Sequence, residues 1–232
     1  MGKRCNRFID LVNGLAAVTL GYCDREVNAA IADQLQRGSI FTLSNELEIQ
    51  LSEKLVELIP CAEMVRFGKN GSDATTAAIR LARAHTGRDK VALAGYHGWH
   101  DWYIGATARD LGVPKAVRDL SVQFAFGDAG ALESLLAAEP DAFAAVILEP
   151  DGVAPPPQGF LNDVRALCDR FGAVLVFDEI VTGFRAGLGG AQARHGVTPD
   201  LAAFGKAMAN GFPISAVVGR RDIMRLMEDV FV

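Results

Sequence analysis

The segment Val174–Ile180, which reads VLVFDEI, constrains the fold more than any other part of the chain. Its run of apolar residues predicts a strand buried on both faces, as in a parallel sheet covered by helices. The strand then ends in two carboxylates, Asp178 and Glu179. Carboxylates are rarely buried without a positive partner, so this strand end predicts a cation facing one of them.

Strand and helix patterns alternate from about residue 63 onward. Apolar strand patterns lie at 63–67, 90–95, 143–150 and 174–178, with short runs at 201–204 and 214–219. Helical patterns separate them, and Gly87 and Gly172 stand where glycine commonly ends a helix. The alternation predicts the α/β class, with an open, mostly parallel, doubly wound sheet. Ligands of such sheets bind beyond the carboxyl ends of the strands, where Glu149 and Asp178 lie.

The first 60 residues differ from the rest. A weakly alternating segment, FIDLVNGLAAVTLGY, is followed by two helical patterns at 25–38 and 45–59. We predict that residues 1–60 pack on the main domain and contribute to a subunit interface. Residues 61–232 are predicted to form the main sheet domain.

Composition narrows the classes of partner. The 232 residues are 50% hydrophobic with a net charge of -5, and they contain no clustered basic stripe that would indicate nucleic acid. No apolar run reaches the roughly 20 residues of a membrane-spanning helix. The cysteines form no CxxC pair, which predicts a reducing, cytoplasmic setting without disulfides or zinc. They are Cys5, Cys23, Cys61 and Cys168.

The turn GKNGSDA joins a strand pattern to a helix pattern. The free N–H groups and the positive dipole end of such a helix can bind a phosphate, here at Gly71 and Ser72. The alternative is an ordinary helix start with Ser72 as the N-cap. The segment fits neither GxxxxGK[ST] nor GxGxxG, so a phosphate here would belong to another cofactor than those motifs bind.

The segment GYHGWHDWY, residues 95–103, is rich in aromatic rings. A planar ligand could stack on Tyr96 or His97, although simple packing of a loop explains the same residues. His97, His100 and Asp101 could alternatively bind a metal. Their spacing fits neither HExxH nor a closed site, so we predict no metal.

Lys206 follows a short apolar run and stands among small residues. An uncharged lysine amine is a nucleophile, whereas most single lysines simply extend into solvent. Taken together, a phosphate cradle, an aromatic ring at Tyr96, a carboxylate at Asp178 and the amine of Lys206 suit one cofactor. Pyridoxal phosphate carries a phosphate, a flat ring, a ring nitrogen that binds a carboxylate and an aldehyde that reacts with lysine.

Longer motifs carry a family resemblance across the whole chain. They are FIDLVNGLAAVTLGY, MVRFGKNGSDA, GYHGWHD, VFDEIVTGFR, GGAQ and PDLAAFGKAMANGFPISAVVGR. With these motifs the chain resembles the class III pyridoxal-phosphate-dependent aminotransferases of fold type I. It is most similar to the branch around glutamate-1-semialdehyde aminomutase.

The resemblance implies a role for each motif residue. Lys206 would be the catalytic Schiff-base lysine and would also shuttle a proton as general base and acid. The cofactor contacts would be Gly71 and Ser72 at the phosphate, Tyr96 and Ile180 on the two ring faces, His97, and Asp178 at the ring nitrogen. The family further implies a homodimer, a small-molecule amino donor and a keto or aldehyde acceptor.

The chain departs from the family pattern in two respects. After Glu149-Pro150 it lacks the Asn that bonds the phenolic oxygen of the cofactor ring. It is also short at both ends and lacks the C-terminal small domain, which predicts a fragment. Three hypotheses therefore remain: an aminotransferase or aminomutase, a non-catalytic cofactor-binding or dimerising fragment, and a metal-dependent hydrolase using His97, His100 and Asp101.

Overall fold

The computed structural model describes residues 6–152, 154–230 and 232 of the chain, so Cys5 lies outside the described residues. Seven described strands form one sheet in the order β1-β7-β6-β5-β4-β2-β3. The strands are β1 Met64–Gly68, β2 Lys90–Ala94, β3 Ser121–Gln123, β4 Phe143–Leu148, β5 Val174–Asp178, β6 Leu201–Phe204 and β7 Ser215–Gly219. All neighbouring pairs are parallel except those made by β7, which runs antiparallel to β1 and β6. The predicted α/β class with a mostly parallel sheet is confirmed.

Helices connect the strands and cover both faces of the sheet. The described α-helices are α1 Asn13–Ala16, α2 Arg25–Arg37, α3 Glu46–Leu58, α4 Gly71–Thr86, α5 Asp101–Ile104, α6 Lys115–Arg118, α7 Ala129–Ala138, α8 Phe160–Phe171, α9 Gly190–His195 and α10 Arg221–Met224. Two 3₁₀ turns follow at Lys206–Ala209 and Arg225–Glu228. Gly87 and Gly172 end α4 and α8 in the left-handed conformation, as predicted. Within the described residues, no helix is long and apolar enough to cross a membrane.

The sheet separates two hydrophobic clusters. Residues of α3, α7 and α8 pack on one face, and residues of α4, α5 and α10 pack on the other. Strand β5 serves both clusters, because its side chains alternate between the faces. Leu175 and Phe177 belong to the first cluster, whereas Val174 and Val176 belong to the second. By the same alternation Asp178 lies on the α4 face.

The N-terminal segment contains a turn that the sequence did not reveal. Asn13, Gly14, Leu15 and Ala16 all have positive φ, so α1 is a single left-handed turn. Such a conformation costs roughly 1–2 kcal/mol for each residue other than glycine. The Asp10 carboxylate accepts hydrogen bonds from the Val12 and Gly14 backbone N–H groups at 2.9 and 2.7 Å. The weak alternation of this segment therefore does not indicate a strand.

Asp200 connects β5, β6 and β7 at the end of the sheet opposite Asp178. It directly precedes β6, and it binds Leu175 of β5 and Arg220, which follows β7. Its buried carboxylate accepts a hydrogen bond from the Leu175 N–H at 2.7 Å. The Arg165 and Arg220 guanidinium groups donate to it at 2.9 and 2.8 Å. Burial alone would raise the pKa of Asp200, but the hydrogen bond from Arg220, the charge of Arg165 and the backbone donor lower it below its ordinary value.

We expect Asp200→Asn to lower the free energy of unfolding by about 3 kcal/mol, because two guanidinium groups lose their shared carboxylate. Urea denaturation at pH 7 measures this loss. Since the folded-state pKa is lowered, the contribution of Asp200 is present above its unfolded pKa of about 4 and fades as the pH falls through the folded value. The difference in unfolding free energy between wild type and variant should therefore shrink below about pH 4.

Asp169→Asn is the matched control, since Asp169 binds the same Arg165 but is exposed. Exposed ion pairs contribute between 0 and about 1 kcal/mol, so this variant should stay near wild type. Equal losses in the two variants, or an Asp200 effect that is independent of pH, would contradict the assignment.

Candidate active site

A cavity of about 350 Å³ opens beyond the carboxyl ends of β4, β5 and β6. The start of α4 and the loop after β2 form its other walls. All seven residues that the sequence predicted as site residues line this one cavity, together with residues that it did not. The lining is Ala17, Lys69, Asn70, Gly71, Ser72, Thr75, Tyr96, His97, Gly98, Trp99, Glu149, Asp178, Ile180, Val181, Lys206, Gly211, Phe212 and Ile214.

Asp178 lines the cavity and also forms a hydrogen bond with His97. His97 Nδ1 lies 2.8 Å from Asp178 Oδ2, and the two side chains are 0% and 4% exposed. The Ile180 backbone N–H donates to Asp178 Oδ1 at 3.1 Å. His97 Nε2 faces the Ala94 carbonyl at 3.2 Å, so both ring nitrogens face oxygen acceptors.

Glu179 points away from the cavity, as the alternation of β5 predicts. Its fully buried carboxylate accepts hydrogen bonds from the backbone N–H groups of Ala191 and Gln192 at 2.8 and 2.9 Å. The Thr182 hydroxyl donates to it as well. A side chain at Gly190 would lie 2.7 Å from this carboxylate, and the backbone there has φ +72°. Glu179 therefore holds the loop after β5 and the start of α9 together.

Helix α4 begins two residues earlier than a Ser72 N-cap would place it. Asn70, not Ser72, is the N-cap: its side chain accepts from the Asp73 N–H at 3.2 Å, and Asp73 Oδ2 accepts from the Asn70 N–H at 3.0 Å. The helix therefore begins at Gly71, and its first N–H groups lie at the cavity wall without partners inside the helix. The prediction of Ser72 as N-cap is wrong because Asn70 and Asp73 form a complete capping box.

Ser72 and Thr75 join α4 to the loop after β2. The Trp99 N–H donates to Ser72 Oγ at 3.3 Å, and Thr75 Oγ1 donates to the His97 carbonyl at 2.9 Å. Gly98 has φ +104°, and a side chain there would lie 2.3 Å from Ser72 Oγ. The close approach of helix and loop thus requires glycine at this position. The Ser72 hydroxyl is thereby placed beside the helix start.

The aromatic loop exposes the rings of Tyr96 and Trp99 at the cavity and buries those of Trp102 and Tyr103. Tyr96 is 59% exposed and lines the cavity, and its ring meets that of Tyr103 edge-on at 5.4 Å. His100 Nδ1 lies 2.7 Å from Thr76 Oγ1, so His97 and His100 bond to different partners. Among the residues that the structure describes, no three His, Cys, Asp or Glu side chains gather as metal ligands.

Lys206 stands directly after β6 on a strained backbone. Its φ is +42°, and Gly205 before it is fully extended, with φ -177°. A side chain at Gly205 would lie 3.2 Å from Ile180 Cδ1, so the glycine leaves room for Ile180 at the cavity wall. In the described part of the chain no carboxylate forms an ion pair with Lys206. Its amine therefore faces the cavity without a fixed counter-ion.

Glu149 also lines the cavity, although it was not among the seven predicted site residues. Burial raises the pKa of its carboxyl, and the charge of Asp178 adds to this rise, while His97 and Lys206 oppose it. The residue follows the fully buried strand β4 just as Asp178 ends β5. This shared strand-end pattern was the available signal.

The N-terminal segment reaches the cavity beside Lys206. The Leu20 N–H donates to Asn210 Oδ1 at 2.9 Å, and Asn210 Nδ2 donates to the Gly21 carbonyl at 3.1 Å. Ala17 lines the cavity itself. No local motif marks these contacts, because they join residues about 190 positions apart in the chain.

The buried thiols carry no reactive chemistry. Burial raises the pKa of Cys61 and of Cys168 to about 12, so both stay protonated at neutral pH. Neither lines the cavity. Among the described cavity residues, Lys206 and Lys69 are therefore the amine candidates for a nucleophile.

Comparisons with known proteins agree with this geometry. The chain matches the family described as Aminotransferase class-III over residues 2–229. It is 42% identical over 231 residues to the 3-aminobutyryl-CoA aminotransferase of Cloacimonas acidaminovorans, covering 97% of this chain. It is 41% identical over 234 residues to the glutamate-1-semialdehyde 2,1-aminomutase of Ignicoccus hospitalis, covering 94% of this chain.

A solved structure shares the fold and much of the sequence. This is the FumI protein of Sphingopyxis sp. MTA144 in its PLP internal aldimine form, with a TM-score of 0.88 and 34% identity over 97% of this chain. The chain spans about half the length of the proteins it matches: 55% of each of the two relatives and 56% of the solved chain.

We expect Glu179→Ala to lower the free energy of unfolding by about 3 kcal/mol, since it leaves two backbone donors and the Thr182 hydroxyl without an acceptor. Thermal or urea denaturation measures the effect. Glu133→Ala is the control, because Glu133 is an exposed partner of Arg170 and its removal should cost less than about 1 kcal/mol. A Glu179 variant as stable as this control would contradict the structural role.

Proposed function

The chain belongs to the class-III aminotransferase family, and we propose that it binds pyridoxal phosphate and moves an amino group from an amino donor to a keto or aldehyde acceptor. One observation carries the proposal. The amine of Lys206 and the buried carboxylate of Asp178 face the same cavity, whose wall contains the start of α4. A lysine, a carboxylate and a helix N-terminus are the three groups that this cofactor requires.

The cavity residues fit the cofactor chemically. The unpaired N–H groups at Gly71 and Ser72 suit a phosphate, and Lys69 adds a positive charge to the same wall. Ile180 and Tyr96 supply an apolar and an aromatic surface for a flat ring. Asp178 suits a protonated ring nitrogen, because its carboxylate is already oriented by two hydrogen bonds.

Each residue then has a defined task. Pyridoxal phosphate supplies an aldehyde and a protonated ring that withdraws electrons from a substrate carbon. Lys206 would supply the amine for the aldehyde, with loss of water, and its Nζ would hold and move a proton. Asp178 would hold a proton on the ring nitrogen. His97 orients Asp178 through the 2.8 Å contact.

A homodimer is part of the same proposal. Large apolar side chains of the N-terminal segment are exposed in the single chain, and exposed apolar patches mark sites of protein association. They include Phe8, Ile9, Leu11, Leu15 and Leu20. The same segment reaches the cavity through Ala17, so an interface built on residues 1–60 would border the site. The reduced thiols fit action in the cytoplasm.

Two forms of the reaction remain within the proposal. An aminotransferase releases its first product, whereas a 2,1-aminomutase retains it and returns the amino group to a neighbouring carbon. The two named relatives include one of each kind. The second candidate is a non-catalytic protein that binds the cofactor or dimerises.

Borohydride reduction of the chain with pyridoxal phosphate tests the proposal. We expect a phosphopyridoxyl group on the peptide containing Lys206 and none on Lys69, which lines the same cavity but is exposed. Lys206→Ala should abolish the adduct, and Lys69→Ala should retain it. Mass spectrometry of the peptides measures both.

The outcomes separate the candidates. Loss of the bound cofactor's visible band on adding an amino donor supports transfer of the amino group. An adduct on Lys206 without this loss supports the non-catalytic candidate. A folded chain that forms no adduct at Lys206 would sink the cofactor proposal.

We expect Asp178→Asn to retain cofactor capture at Lys206 while slowing amino transfer on the order of 100-fold, because an amide holds no proton on the ring nitrogen. Single-turnover loss of the visible band with an amino donor measures the rate. Asp151→Asn is the control, since Asp151 bonds to His195 outside the cavity. A fully active Asp178 variant would show that its role is different.

A further inference from the structure

Two carboxylates end neighbouring strands and face the same cavity. Asp178 is the last residue of β5, and Glu149 follows directly on β4, which pairs with β5 in parallel. Two carboxylates that are withdrawn from water and close to each other are not both ionised without a penalty. Their surroundings therefore decide which of them keeps a proton.

Asp178 and Glu149 differ in the hydrogen-bond donors around them. Asp178 accepts hydrogen bonds from two donors, the Ile180 N–H and the ring of His97. Within the described residues no group donates a hydrogen bond to Glu149, although its carboxyl is largely buried. The backbone of Gly95 lies beside it, and a side chain there would lie 3.4 Å from its carboxyl oxygen.

The charged groups around Glu149 come from each neighbouring element. Asp178 from β5 opposes its ionisation, and burial opposes it more strongly. His97 from the loop after β2 and Lys206 after β6 favour its ionisation less than these oppose it. Tyr103 of α5 donates to the Gly95 carbonyl at 3.2 Å, and burial, Tyr96 and Glu149 raise its pKa, in decreasing order.

We propose that Glu149 is a further cofactor-binding residue that keeps its proton while Asp178 is ionised, and that it donates its O–H to an oxygen acceptor of bound pyridoxal phosphate. The pair would thus present one negative and one neutral carboxyl group to the ligand. The negative group suits a protonated ring nitrogen, and the neutral group suits an oxygen. Unequal surroundings commonly divide two carboxyl groups in this way. The role toward the cofactor depends on the proposed function, whereas the retained proton does not.

The retained proton is measured without any cofactor. The chain is labelled with ¹³C at the glutamate carboxyl carbons and titrated by NMR, and the Glu149 signal is identified by its loss in Glu149→Gln. We expect its midpoint to lie clearly above that of the glutamates in the same chain unfolded in urea. A midpoint at or below the unfolded value would overturn the proposal.

The unfolding free energy of the cofactor-free chain gives an independent readout. A raised folded-state pKa means that the stabilising contribution is complete below the unfolded pKa and is lost as the pH rises through the folded value. Wild type and Glu149→Gln should therefore be equally stable near pH 4, and wild type should become the less stable of the two at higher pH. Parallel stability curves would contradict the retained proton.

Cofactor binding then tests the donor role. Glu149→Gln is neutral and keeps an N–H donor, whereas Glu149→Met has similar length and no donor. We expect the dissociation constant of pyridoxal phosphate to be close to wild type in the Gln variant and about tenfold higher in the Met variant. The pH dependence of the visible band should likewise stay close to wild type in the Gln variant and differ from it in the Met variant. Equal weakening in both variants would mean that Glu149 acts as an ion and would overturn the proposal.

The two proposals fail in different ways. If the chain does not capture pyridoxal phosphate at Lys206, the proposed function fails while the NMR midpoint of Glu149 stays raised. If capture at Lys206 is normal and the midpoint is ordinary, the inference on Glu149 fails alone.

Discussion

The buried contact between His97 and Asp178 is the interaction on which the candidate site depends. It joins the loop after β2 to the end of β5, across the intervening strand β4. Thr75 anchors the same loop to α4 through the His97 carbonyl, so the helix start is fixed relative to Asp178 as well. Because the pair is almost fully buried, removal of either partner would leave an uncompensated polar group inside the protein. The position of the helix start, the loop and the carboxylate is therefore set as one unit.

Strand β5 shows how one short segment serves both the fold and the site. Asp178 and Glu179 are adjacent, but the alternation of a strand sends them to opposite faces of the sheet. Glu179 meets the backbone donors at the start of α9, which stabilises the loop that follows. Asp178 keeps a side toward the cavity. The VLVFDEI segment thus carries one carboxylate that stabilises the fold and one that lines the candidate site, and each has its own set of partners.

The main features of the fold could be predicted because they depend on local patterns. Buried strands, amphipathic helices and the glycines at 87 and 172 all follow from residues close together in sequence. The antiparallel direction of β7 could not be predicted, since an apolar run reads the same in either direction. The seven predicted site residues do share one cavity, but the sequence did not predict the hydrogen bond between His97 and Asp178. The sequence placed Glu149 at such a strand end, but it received no role because the pattern of a strand end does not reveal which neighbours the residue will face.

The position of β7 affects the order in which the sheet forms. It lies between β1 and β6, so β1, at one edge of the described sheet, pairs with a strand that comes some 150 residues later in the chain. During synthesis β1 is made early and has no partner strand until residues 215–219 leave the ribosome. Contacts between such distant segments form slowly, and exposed strand edges promote aggregation. We therefore expect the pairing of β1 with β7 to be completed later than the rest of the described sheet.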